Sequence, residues 1–365
     1  MLFGYPIEAV IQNNWLHECF GYFMESIHKN LSSGSIVTDW FEVIPQQYQD
    51  ILRSRLTNKG GLGDKLKAYQ MALAKLTLKE QDQLLRLFNE QNKIDMLLSC
   101  QCNCDSITDL PENIKATIDI PLKNLFEYAF DLLTNLEIRD RHYYKIYNSI
   151  PNHICPFCGC EKFSAPYGKR DPYDHYLLID LYPFAGVNLR NLFPMGHKCN
   201  SQHKHIQNIL CKNDGTRRKS FDPYNHNVKV ELSLNNSQPF AGMEGATRES
   251  LPKWEIEFTP VSEEIDTWDN VFHIRERYIK DELDAEFKSW LKIFSGWYQR
   301  NKKGQDSDQD LIDAIEVYAI DREAEGFGEQ AFLKAAVFRM LHIHCKNGDQ
   351  RLIQFIQDIV NNASI

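Results

Sequence analysis

Apolar residues between Gln46 and Cys100 recur at helical spacing, with Leu84, Leu87 and Phe88 followed by Ile94, Leu97 and Leu98. The run Lys59-Gly60-Gly61-Leu62-Gly63-Asp64 breaks this stretch into two helical blocks. A further helix is predicted over Pro121–Leu136, with Pro121 in its first turn, where a missing N–H costs nothing. The pattern changes at residue 151: Cys, His, Pro, Gly and Tyr replace the Leu/Lys/Glu texture until about residue 225. Strict alternation then marks two half-buried strands, Val228–Leu234 and Trp254–Phe258, joined by a polar loop at 235–252. From Trp268 onward the pattern is helical again, apart from a polar, charged linker at Asn301–Asp310. Three segments follow: a helical region 1–150, a compact segment 151–225, and a region 226–365 of two strands and helices. No internal repeat or low-complexity tract is present.

Composition narrows the class only a little. With 43% hydrophobic and 25% charged residues, the chain has the balance of a folded globular protein, and 365 residues allow two or three cores. No segment approaches the roughly 18 consecutive apolar residues of a membrane helix, so no membrane partner is expected. The first twenty residues lack the basic and long apolar regions of a secretion signal, and a cytoplasmic protein is the expectation. Of ten cysteines, seven form short-range groups: Cys100/Cys102/Cys104, Cys155/Cys158/Cys160, and Cys199 downstream. In a reducing cytosol such spacing points to metal rather than disulfides.

Net charge is −9, the wrong sign for a nucleic-acid binder, but it is unevenly spread. Between Glu161 and Ser220 there are ten Lys/Arg against five Asp/Glu, a local +5 that leaves the remainder at −14. A basic island in an acidic chain suits a phosphate-binding site, and equally a solvated surface.

The island carries the chain's chemistry. It contains Cys155-Pro-Phe-Cys158-Gly159, then Asp174-His175, Asn191, and Cys199-Asn200. Phosphodiester hydrolysis needs an activated water, positive charge on the phosphate and help for the departing oxygen. A histidine can serve as the base near neutral pH, and a hard cation prefers oxygen ligands such as the Asp174 carboxylate and the Asn200 amide. Adjacent residues of a strand face opposite ways, so Asp174 and His175 suit one ligand and one base rather than a shared ion.

This segment resembles the core of an HNH nuclease. The resemblance covers about residues 150–225 and implies an α+β fold, a central ββα-metal module flanked by helical regions. It implies Mg²⁺ or Mn²⁺ held by Asp174 and Asn200, His175 as general base, and Asn191 pinning the loop that orients His175; Asn188 competes for that last role. Lys204 would hold a phosphate, and Arg217, Arg218 and Lys219, after a turn at Asp214-Gly215, would grip the nucleic-acid backbone or form a solvated loop. Structural Zn²⁺ would sit on Cys155, Cys158 and Cys199. The family's second CxxC pair would fall at 196 and 199, but Gly196 takes the first position. His203, on the helical face of Cys199, is the favoured fourth ligand, with His197, Cys160 and His205 as rivals.

The expected activity is endonucleolytic cleavage, of DNA in the first instance, in restriction or phage defence. Two active sites in a homodimer would suit a double-strand cut. Without a phosphate-binding glycine loop of its own, the chain would take any ATP control from a separate ATPase partner. The rival reading is a zinc-stabilised nucleic-acid-binding or scaffold protein without cleavage. Cys100/Cys102/Cys104 have no nearby matching pair, and His342, His344 and Cys345 read as helix core.

Overall fold

The computed structural model describes residues 1–166, 168, 173–225, 227–241, 251–301 and 307–362. The fold is mostly helical with two small antiparallel sheets, an α+β chain, and among the described residues no helix is long and apolar enough to cross a membrane. The chain does not divide into three sequential segments. It forms two compact units, one of Gly4–Ile150 with Phe163–Asn227, the other of Met1–Phe3, Pro151–Lys162 and Val228–Ile365. The segment 151–225 is thus split after Lys162, because its two parts bury their apolar residues in different cores.

In the first unit the helices Gln46–Thr57 and Leu62–Leu73 flank the expected break. Gly63 is required there by close approach, since a Cβ would run into the Leu56 carbonyl oxygen. The helix Leu78–Gln91 starts at a capping box, Thr77 with Glu80, and buries Leu84, Leu87 and Phe88 as its spacing dictates. The third predicted helix is longer than expected. It spans Glu112–Asn135 with Pro121 in its interior rather than in its first turn. The buried stripe begins at Ile114 and Ile118 and continues through Leu122, Leu125, Phe126 and Ala129. That burial offsets the hydrogen bond proline removes, so the local signal at Pro121 lost to packing. The helix Ile138–Ser149 follows. Two short strands, β1 (Tyr173–His175) and β2 (Leu192–Pro194), pair antiparallel in the same unit, and a π-helical segment, Lys198–Lys204, follows them.

In the second unit, β3 (Glu231–Ser233) pairs antiparallel with β4 (Glu257–Thr259), Leu232 facing Phe258. Each is shorter than its alternating pattern, with isolated bridges Phe3–Lys229 and Gln238–Lys253 beyond the ladder. The predicted loop 235–252 lies partly outside the described residues, as does the linker 301–310; helices end at Asn301 and restart at Asp308. His342 and Cys345 are buried on the helix Ala331–Lys346, and His344 bonds to the Ser237 carbonyl.

Four histidines of the first unit, His17, His28, His142 and His175, are held below their ordinary range by burial and give it an acid sensitivity, as His142 and His28 illustrate. Burial pushes His142 down to about 3, and His28 to about 4 despite the opposing charge of Asp82. Both are neutral when folded, whereas the unfolded chain protonates them near 6.5. Stability contributed by the neutral state is therefore present above 6.5 and lost as pH falls below it. We expect a loss of about 2 kcal/mol per histidine by pH 5. Urea unfolding between pH 7 and 5 should show this slope, reduced by about one proton in His28→Gln; equal slopes for the two proteins would contradict it.

Candidate functional site

The strand pair is held by aromatic and aliphatic residues. Tyr173, Leu192 and Phe193 are buried, and Tyr5 stacks on Phe193 while its hydroxyl donates to the Pro194 carbonyl. Tyr173 pairs with Pro194, Asp174 with Phe193 and His175 with Leu192. Alternation along β1 sends Asp174 and His175 to different neighbours. Asp174 meets Lys204, whereas the His175 ring lies 4.5 Å from Phe130 of the helix Glu112–Asn135.

A loop of single turns joins the strands, and Asn191 closes it. The fully buried amide accepts from Leu177 N–H (2.7 Å) and donates to the Leu177 (3.0 Å) and Ala185 (3.3 Å) carbonyls. Asn188, the rival candidate, instead caps the turn Leu189–Asn191 by accepting from Arg190 N–H, and donates to Asn92. The pinned loop presents the Gly186 carbonyl 3.0 Å from Nε2 of His175. A carbonyl only accepts, so Nε2 carries the proton, and in the neutral ring Nδ1 keeps its lone pair. Burial is the main cause that drives His175 down to about 4, aided by the charges of Lys204 and Arg139 and opposed by the Gly186 bond. The imidazole is therefore neutral at physiological pH, with its basic nitrogen at Nδ1.

A second histidine braces the strand pair. Tyr224 donates its hydroxyl proton to the Leu192 carbonyl (2.6 Å), so its oxygen accepts from Nε2 of His142 (3.0 Å). Nδ1 of His142 lies 3.0 Å from the Tyr173 hydroxyl, whose single proton it shares with the Arg139 carbonyl at 3.2 Å. This Tyr–His–Tyr chain ties β1 to β2 through the helix Ile138–Ser149. No sequence pattern announced it, although Tyr224 lies in the Asp222-Pro223-Tyr224 run.

Asp174 is almost fully buried, and burial raises its carboxyl above the ordinary range against the pull of Lys204. Lys204, expected at a phosphate, has no exposed surface. Its ammonium lies 3.2 Å from Oδ1 and 3.0 Å from Oδ2 of Asp174 and donates to the His175 carbonyl at 2.8 Å. The reason is the buried carboxylate, which demands a cation. Oδ2 is buried and lies within ion-pair distance of Lys204 but receives no directed hydrogen bond. Asn200 is half-buried on the same π-helical segment, its carbonyl accepting from His205 N–H.

The basic cluster also differs from expectation. Asp214-Gly215 does form a turn, with Gly215 at positive φ. The Arg217 guanidinium, however, donates to the carbonyls of Leu210 and Leu97 (both 2.7 Å) and to Asn103 (3.1 Å), and the buried Arg218 donates to the Asn208 carbonyl. Both arginines thus direct donors to backbone carbonyls of their own unit, Arg218 buried and Arg217 half-buried. Lys219 is exposed.

Cys155, Cys158 and Cys199 are buried, their sulfurs lie within 4.8 Å of one another, and the cluster could bind a metal such as zinc. Among the described residues this group holds no fourth ligand: neither His203 nor its rivals His197, Cys160 and His205 joins it. Cys160 donates to the Cys158 carbonyl, and a side-chain hydrogen bond with Cys158, followed by burial, raises its thiol well above the usual range. Around Cys155 and Cys158 the turn is tight: Gly159 N–H donates to Cys155 O and Cys155 N–H to Glu161 O, both at 2.8 Å. Gly159 has φ +67°, and a Cβ there would approach Leu2 to 2.5 Å. The remaining carbonyls of the turn accept from Trp268 Nε1 (onto Phe157, 2.8 Å) and the Tyr278 hydroxyl (onto Cys158, 2.7 Å).

Comparison with protein-family models, curated proteins and solved structures returns no match.

Because thiolate ligation is coupled to folding, Cys158→Ser should lose bound zinc and about 3 kcal/mol, a fall in Tm of roughly 6–12 °C. Metal analysis with a thermal melt checks this; unchanged metal content and Tm would refute a zinc role for the cluster.

Proposed function

We propose that this chain is a metal-dependent endonuclease of the HNH type, cutting DNA. The observation that carries the reading is the His175 ring, fixed by the Gly186 carbonyl of a loop that Asn191 closes. This leaves a neutral imidazole with an oriented basic nitrogen, and the preceding residue of the same strand carries the Asp174 carboxylate. The order strand, pinned loop, strand and helix, with Asp174, His175, Asn191 and Asn200 on successive parts, supports it further.

In this reading, Nδ1 of His175 takes a proton from water as the water oxygen bonds to phosphorus and the P–O bond to the departing sugar oxygen breaks. A divalent cation held by Asp174 and Asn200 would supply positive charge against the phosphate and the departing oxygen. The Gly186 bond holds the imidazole upright and stabilises the cation it becomes. Incoming phosphate charge offsets Lys204 and Arg139, raising the basicity that burial depresses. Zinc on the three cysteines would be structural.

A non-catalytic nucleic-acid-binding protein is the second reading, and one observation favours it: Lys204 already neutralises the carboxylate that a catalytic cation would use. The two readings part on cleavage. Plasmid DNA with Mg²⁺ or Mn²⁺ should be cut, EDTA should stop it, and His175→Ala should lower the rate about 10²–10⁴-fold while binding persists. Intact plasmid in both ions, or equal cutting by His175→Ala, would reject the nuclease.

A further inference from the structure

Lys204 and Arg218, two cations expected at the nucleic acid, are buried, and a further cation of the first unit stands near His175. Arg139, second residue of the helix Ile138–Ser149, is that cation. Its guanidinium carbon lies 5.0 Å from the centroid of the Phe130 ring and 4.9 Å from that of Tyr173. Nη1 donates to Thr134 at 3.0 Å. Phe130 is the ring against which His175 packs, and Tyr173 lies two residues from His175 on the same face of β1. The two rings thus set the cation and the imidazole along one aromatic wall. Arg139 is half-buried and belongs to the helical region, outside the 151–225 segment.

Resting on the nuclease reading, we infer that Arg139 is the substrate-binding cation that contacts the DNA phosphate next to His175. A planar guanidinium held on two aromatic faces keeps its orientation at little entropic cost, so it can meet a phosphate oxygen without first being ordered.

The test is fluorescence anisotropy with a labelled DNA duplex of about 20 base pairs. It uses the full chain carrying His175→Ala, no added Mg²⁺ or Mn²⁺, and salt varied from low to physiological. Arg139→Gln should weaken binding about tenfold and lower the slope of log K against log salt by about 0.9, one phosphate contact. Arg139→Lys should keep the slope. Thermal melts establish that the variants are folded; if Arg139→Gln is not, Arg139→Met replaces it, a slope lowered by about 0.9 supporting the contact and an unchanged slope overturning it. If the parent binds and Arg139→Gln matches it in affinity and slope, the Arg139 inference falls and the nuclease reading stands. If the parent shows no DNA binding, both fall.

Discussion

A lysine without exposed surface needs an anion, and Lys204 finds it in Asp174. Two buried charges of opposite sign, with the His175 carbonyl as a further acceptor, fasten the π-helical segment to β1. Such a pair adds little net stability against an apolar equivalent, but removing either member strands the other charge and typically costs about 3–5 kcal/mol. Its contribution is therefore to arrangement. It sets which face of the segment meets the strand, and so where Asn200 and Cys199 stand in the chain's path. The Asn191 amide does the same for the loop between the strands. Together they define the surroundings of His175 before any ligand arrives.

The site is also built on helices that have no part in its motif. Phe130 supports the His175 ring, His142 bridges Tyr173 to Tyr224, and Arg139 stacks on Phe130 and Tyr173. All three residues lie within Glu112–Ser149. A three-residue strand pair cannot hold polar groups in place alone; here two helices enclose it.

What the sequence made legible was whatever is local. Helical spacing gave Leu84, Leu87 and Phe88 their burial, and strand alternation separated Asp174 from His175. The Cys-x-x-Cys-Gly run gave the tight turn with a left-handed glycine. Long-range effects escaped. Pro121 read as a helix start because its own geometry is local, while the stripe beginning at Ile114 depends on packing. Lys204, Arg217 and Arg218 read as surface cations because nothing in the sequence announces which buried carbonyls and carboxylates will claim them. The division after Lys162 was hidden for the same reason: it reflects which core each half joins. The Cys155/Cys158/Cys199 cluster was readable as three ligands, and its fourth was not.

The π-helical form of Lys198–Lys204 has a consequence for how this region can vary. Its closing hydrogen bond runs from His205 N–H to Asn200 O, five residues apart instead of four. Shortening the segment by one residue would restore ordinary α-helical closure but turn everything after the deletion by about 100°. The lysine would swing away from the carboxylate, leaving it buried without its cation. The number of residues in the segment is therefore constrained independently of their identity; the register between strand and helix is kept by counting.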